Sequence, residues 1–268
     1  LGNARNTGVK YAKGKYIIFL DSDDIVPDDA YEKMYLAAEK NHSEMVVGSV
    51  ARFDSKKDHV SNLHEIAFRK YIDKTHITDN TDLIYDTTSW NKLILKEFWD
   101  RNHFEFPERI LYEDIPVTIP MHYLANNVTM VQDVCYRWRI RDGANKSITQ
   151  RADDFTNMRD RITVLRMVDK FFEENVKEQE LWDAKYYKWL YIDLMIYVNN
   201  CIYLSDTPED VKKKVMSMYT DPDHIRVEDP GKIEGNCVFT YLDAFSTEED
   251  FKEFLPDYKN LDELKEHY

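Results

Sequence analysis

Asp21-Ser22-Asp23-Asp24 places three carboxylates in four consecutive positions. Carboxylates that close repel one another unless water or a cation neutralises them. Mg2+ and Mn2+ are hard cations, usually held by one or two protein carboxylates together with substrate phosphates. The cluster could therefore serve a nucleoside diphosphate bound through a divalent ion. The competing reading is a solvated acidic turn that caps the following helix. A second acidic pair, Glu113-Asp114, precedes an apolar stretch. Such a pair is also what a helix dipole favours at its N-terminus. No histidine falls beside two carboxylates at a ligand spacing, which argues against zinc. No Gly-rich phosphate loop and no serine elbow is present.

The elements around the aspartates must position them. Ala4 to Lys13 reads as a short helix ended by Gly14. Tyr16 to Leu20 is a continuous apolar run, typical of a strand buried on both faces. The aspartates follow it directly, at the carboxyl end where open α/β sheets place ligands. Asp28 to Lys40 carries helical apolar spacing, and Glu44 to Phe53 reads as the next strand. Helix, strand, helix, strand predicts an α/β fold with a mostly parallel, Rossmann-like sheet.

Further on, Asp79 to Tyr85 is a weak helix, Trp90 to Leu95 a strand or turn, and Lys96 to Arg101 a short helix. Asp114 to Leu124 predicts a helix that Pro120 kinks or shortens. Val128 to Val131 and Val134 to Arg141 read as a strand pair around Gln132-Asp133. After about Thr149 the chain turns helical. Phe155, Met158, Ile162, Leu165, Val168 and Phe172 recur at helical spacing, and Leu181 to Leu204 forms a second helix. Thr207 opens a third helix and Ser246 to Leu255 is a fourth. The expected division is a catalytic domain over 1–150 and a helical domain over 151–268.

Composition limits the partners. The 268 residues are 43% hydrophobic and 13% aromatic, enough for a sizeable core. A net charge of -14 disfavours nucleic acid. Cys135, Cys201 and Cys237 are odd in number and widely spaced, which fits a reducing compartment. No apolar run reaches the roughly 18 to 20 residues a membrane span needs.

The segment GNARNTGVKYAKGKYIIFLDSDD resembles the central part of family 2 inverting glycosyltransferases of GT-A fold. Trp90-Asn91-Lys92-Leu93 ahead of Tyr112-Glu113-Asp114 is similar to that family's later elements, and Arg141 to Gln150 resembles its basic closing loop. The resemblance covers residues 2 to 150, and its flavour is that of cell-wall and teichoic-acid-type enzymes of Gram-positive bacteria. In that family a strand, a helix and a second strand normally precede this point. Roughly 75 to 90 residues of nucleotide-binding fold are thus expected before Leu1.

The resemblance implies roles. Asp23 and Asp21 would hold Mn2+ or Mg2+, with Asp21 also near the ribose of a nucleotide-sugar donor, most simply a UDP-sugar. Asp114 would be the general base of a single inverting displacement, kept ionised by the start of its helix. Glu113 would orient the base or the acceptor. Arg5 would face the nucleotide, or be an ordinary exposed helix arginine. Arg141 and Lys146 would embrace the diphosphate, or form a basic surface hairpin. Trp90 offers a face to a sugar, or sits in the core. Lys92 is structural or an acceptor-side charge. The acceptor would be a glycan, a polyol-phosphate polymer or a lipid-linked molecule at the inner face of the plasma membrane, reached from the cytoplasm. A homo-oligomer through the helical half is the further partner considered.

Two other functions compete. One is a catalytically silent module that binds glycan or a protein partner. The other is a phosphotransferase using a nucleotide-activated polyol, with the same metal and a different base.

Overall fold

The alternation of Met45, Val46 and Val47 decides how the sheet is covered. Met45 and Val47 join one apolar cluster with Ile17, Ile94 and Phe98, while Val46 joins another with Leu93, Met34 and Ala38. Side chains alternate across a strand, so both faces of this sheet are buried. The computed structural model describes residues 1–60, 62–141, 147 and 155–197.

Helix α1 (Gly2–Tyr11) leads into β1 (Tyr16–Ile18), then α2 (Ala30–Asn41) and β2 (Met45–Phe53). Next come β3 (Asp58–Val60), α3 (Asn62–Ala67), β4 (Ile72–Thr75) and a 3-10 turn over Thr81–Tyr85. They are followed by β5 (Lys92–Leu95), α4 (Lys96–Arg101), α5 (Ile115–Leu124) and β6 (Val128–Arg139). Helices α6 (Phe155–Asn175) and α7 (Gln179–Lys188) end the described chain, α7 running on as a π-helical stretch over Trp189–Leu194.

The order across the sheet is β1-β5-β2-β6-β4, with β3 beside β2. The sheet is mixed where a mostly parallel one was expected. β1, β2 and β6 share a direction, but β5 inserts antiparallel between β1 and β2, and β3 and β4 are antiparallel to their neighbours. Gln132-Asp133 is not a hairpin turn either. β6 is one strand parallel to β2, and its pairing jumps from Gly48↔Val131 to Ser49↔Val134, so the polar pair bulges out. Gly48 sits beside that bulge because a Cβ there would meet the Cys135 sulfur at 2.4 Å.

α2 covers one face of the sheet through Ala30, Met34, Ala37 and Ala38. On the other face α6 contributes Val164, Leu165, Val168 and Phe172 to the cluster that holds Ile115, Val117 and Ile119 of α5. Pro120 lies within α5 without ending it. Contacts group Leu1–Asn200 as one compact unit. Residues 155–197 fall within that unit, and α6 packs into the cluster that holds Met45, Val47 and Ile94 of the sheet. The helices expected from Thr207 and over Ser246 to Leu255, together with Cys201 and Cys237, lie outside the described residues.

Candidate active site

β1 carries the chain through buried Phe19 to the aspartates. Tyr136 of β6 fastens this turn: its hydroxyl accepts from the Asp21 amide at 3.1 Å and donates to Asp24 Oδ2 at 2.7 Å. Asp24 also accepts the Arg139 amide at 2.8 Å, and Ile25 bridges Arg137 through both backbone bonds. Burial pushes the Asp24 carboxyl up from its ordinary range, against the pull of those two donors. Asp24 is thus a structural anchor of the turn. Asp21 and Asp23 keep side chains 25% and 40% exposed, open enough to meet a ligand.

Arg5 is buried, in contrast to an exposed helix arginine. Its Nη2 donates to Asp21 Oδ1 at 2.9 Å and its Nη1 to Glu113 Oε1 at 2.9 Å. The guanidinium lies over the rings of Phe19 and Phe106. Two devices fix α1 in this place. Asn6 exchanges two hydrogen bonds of 2.9 Å with the Phe106 backbone. Gly2 lets α1 approach closely, since a Cβ there would stand 2.4 Å from the Pro107 carbonyl oxygen. The two acidic sites therefore meet through one guanidinium.

Glu113 is buried, and Asp114 sits at the N-cap position of α5 with no side-chain cap bond. Its carbonyl receives the Thr118 amide at 2.8 Å and the Thr118 hydroxyl at 3.0 Å. Just before them Tyr112 adopts φ 61°, a left-handed backbone uncommon for a residue with a Cβ. The helix start was expected to hold the Asp114 carboxyl down. Burial instead pushes it up, outweighing the opposing charges of Arg5 and Arg161. Glu113 is raised too, by burial and then by the neighbouring Asp114 charge.

Arg141 reaches Asp23 Oδ2 with Nη2 at 2.6 Å and Nε at 3.1 Å, and Arg139 Nε donates to the Asp23 carbonyl at 2.6 Å. The basic end of β6 thus leans on the aspartate turn. Lys146 lies outside the described residues.

Two expected contact residues are placed elsewhere. Trp90 is 5% exposed, and Tyr136 stacks on it at 4.1 Å between centroids with planes 19° apart. Trp138 and His64 pack on it as well. With its face taken by Tyr136, Trp90 is a core tryptophan and not a sugar platform. Lys92 is fully buried and pairs with Asp86 at 2.7 Å, so it is structural rather than an acceptor-side charge. Asp86 also accepts from Asn91 Nδ2 at 2.8 Å and meets His122 Nε2 at 3.1 Å. Burial alone would raise Asp86, but Lys92 and His122 win and hold it well below the carboxylate range. Sequence reasoning missed this network, as it missed Tyr136. The aromatic Tyr136-Arg137-Trp138-Arg139 alternation was the available signal, since alternate positions must face the core.

Among the described residues no group of three His, Cys, Asp or Glu side chains is arranged to hold a metal ion. The donor set still suits Mg2+ or Mn2+ in the mode that takes two carboxylates and completes its shell with substrate phosphates and water. No helix of the described residues is long and apolar enough to cross a membrane.

Comparison with known proteins divides the chain. The family model of Glycosyl transferase family 2 matches residues 1–104. That of tRNA synthetases class I (W and Y) matches residues 198–266. The tryptophan–tRNA ligases of Streptococcus pneumoniae serotype 4 and Streptococcus agalactiae serotype V are 59% and 58% identical over 71 residues, covering 26% of this chain and 19% of each ligase. Among solved structures, S. aureus TarS 1-349 in complex with UDP is similar at TM-score 0.54 and 16% identity, covering 83% of this chain and 56% of that one. The same protein in complex with UDP-GlcNAc gives TM-score 0.53 and 17% identity, covering 100% of this chain and 71% of that one. At such identity the likeness speaks for the fold, which is the GT-A type.

Proposed function

We propose, on the premise that residues 1–104 belong to glycosyl transferase family 2, that the protein moves a sugar from a nucleotide diphosphate to an acceptor hydroxyl with inversion. The observation that carries this reading is Arg5, which ties Asp21 to Glu113 and so places the aspartate turn beside the start of α5. TarS was solved with UDP and with UDP-GlcNAc, which supports a UDP-sugar as donor. The acceptor would be a glycan or a cell-wall polymer such as a polyol phosphate, met at the cytoplasmic face of the membrane.

Asp114 takes the proton of the acceptor hydroxyl as its oxygen attacks the anomeric carbon opposite the phosphate. A carboxyl raised by burial is a stronger base than an ordinary aspartate once it is ionised. Glu113, held by Arg5, keeps the base in place. Arg141 contributes positive charge beside Asp23, where negative charge grows on the leaving diphosphate. Asp21 and Asp23 would hold Mn2+ or Mg2+, which supplies Lewis-acid charge to the departing nucleotide.

The test is turnover of UDP-GlcNAc, to transfer or to hydrolysis, with and without Mn2+, for wild type and Asp114→Asn. The expected loss in the variant is about 100-fold or more. Transfer by Asp114→Asn at the wild-type rate would overturn the assignment of the base. One observation favours a second reading, a catalytically silent module that binds glycan or a protein partner: residues 198–266 match a different family model from residues 1–104. Absence of both UDP-GlcNAc binding and turnover in the wild-type chain would support it.

A further inference from the structure

Tyr112 is the last residue before the acidic pair, and its left-handed backbone is the kind that persists only when its surroundings enforce it. Those surroundings come from the helical region. Asp160 of α6, nearly buried, accepts the Leu111 amide on Oδ2 at 3.1 Å. The next residue, Arg161, lays its guanidinium over the Tyr112 ring, 4.5 Å from the centroid. Tyr197 donates its hydroxyl to that of Tyr112 at 2.7 Å. Arg161 is itself held by Asp193, which also pairs with Lys188 at 2.7 Å in the π-helical stretch and its flank. Backbone, ring and hydroxyl of the 111–112 segment are thus gripped from three directions.

We infer that Asp160 and Arg161 are positioning residues that clamp Leu111 and Tyr112 in the backbone geometry that presents Glu113 and Asp114. Asp160 fixes the backbone and Arg161 fixes the ring, so adjacent residues of one helix restrain both parts of the strained step. The inference rests on the reading of Asp114 as the base. It extends the site to α6, beyond the segment matched by the glycosyl transferase model. The Arg161 charge also favours the Asp114 carboxylate, working with Arg5 against burial.

The experiment uses the full chain and four variants: Asp160→Ala, Asp160→Asn, Arg161→Met and Asp114→Asn. Amide hydrogen exchange of a peptide over residues 109–118 is compared with that of β2 and β6. Asp160→Ala and Arg161→Met are expected to speed exchange in the 109–118 peptide at least 10-fold and to leave β2 and β6 unchanged. Asp160→Asn keeps an oxygen to accept the Leu111 amide and is expected to restore protection. With UDP-GlcNAc, the two disruptive variants are expected to lose about 10-fold in kcat with KM for the donor within twofold. Unchanged exchange at 109–118, or equal acceleration across β2 and β6, would overturn the clamp. Wild-type turnover by Asp114→Asn would instead overturn the base reading, and the exchange result would still decide the clamp.

Discussion

Arg5 and Glu113 stand 108 positions apart in the chain, yet Nη1 of one donates to Oε1 of the other at 2.9 Å in a buried setting. The same guanidinium holds Asp21 at 2.9 Å. One cation thus offsets two carboxylates that would otherwise repel across the site, and it joins β1 to the start of α5.

Arg5→Met leaves Glu113 buried without its cation, and breaking a buried pair by removing one partner costs about 3–5 kcal/mol. A lower melting temperature and at least a 100-fold loss of donor turnover are the expected outcomes. Arg5→Lys should rescue little, because a point charge cannot span Asp21 and Glu113 as a fork does. Thermal unfolding beside the activity assay checks both. Arg5→Lys at wild-type turnover would show that the fork is dispensable.

Asp114 should trade stability for activity. Burial raises its folded pKa above the unfolded value, so the favourable contribution belongs to the protonated form. It is complete below the unfolded pKa and is lost as pH rises through the folded one. Above the unfolded pKa the burial of this carboxyl is a net cost, and Asp114→Asn removes it. The variant is expected to melt higher than wild type at pH 7 while losing turnover. On the reading of Asp114 as the base, the acid limb of kcat/KM, which reports the free protein, should lie above the ordinary aspartate range. A limb at the ordinary value, or a variant that melts lower, would contradict this.

Part of the site was legible because its signals are local. An apolar run followed by crowded carboxylates gave the position of Asp21 and Asp23, and the β1 turn is there. The acids before an apolar stretch gave the start of α5. What was not legible depends on distant partners. Trp90 could be read as a sugar platform or as core, because the ring that covers it belongs to Tyr136 on another strand. Lys92 was left open for the same reason, its burial being set by Asp86 and His122. Gln132-Asp133 looked like a turn, since a polar pair between apolar runs has the same composition in a hairpin and in a bulge. The antiparallel insertion of β5 was hidden as well, because strand character carries no sign of direction. Helical spacing beyond residue 197 did not distinguish one family from another, although residues 198–266 match a synthetase.

Lys92→Met tests whether that lysine serves the fold alone. It leaves Asp86 buried with His122 but without its main cation. A loss of about 3–5 kcal/mol in unfolding free energy is expected. KM for any acceptor should not change in protein that remains folded, because Lys92 has no exposed surface. Urea unfolding measures the first quantity. A change in acceptor KM without loss of stability would restore Lys92 to the substrate side.

His64 makes stability depend on pH in a stated window. It is buried, stacked against Phe68 and tilted on Trp90, and burial pushes its pKa down from 6.5 to about 4. In the unfolded chain the imidazole takes a proton at its ordinary value, and in the folded protein only near pH 4. Between these values the unfolded state binds more protons, so stability falls as pH drops from about 6.5 and levels off below about 4. A span of that size is worth about 3 kcal/mol at most for one group. His64→Gln should flatten this part of the curve of urea midpoint against pH, whatever it does to the midpoint at pH 8. If the slope between pH 6.5 and 4 is the same in wild type and variant, the acid sensitivity arises from other groups, and the Asp86–His122 contact is the next place to look.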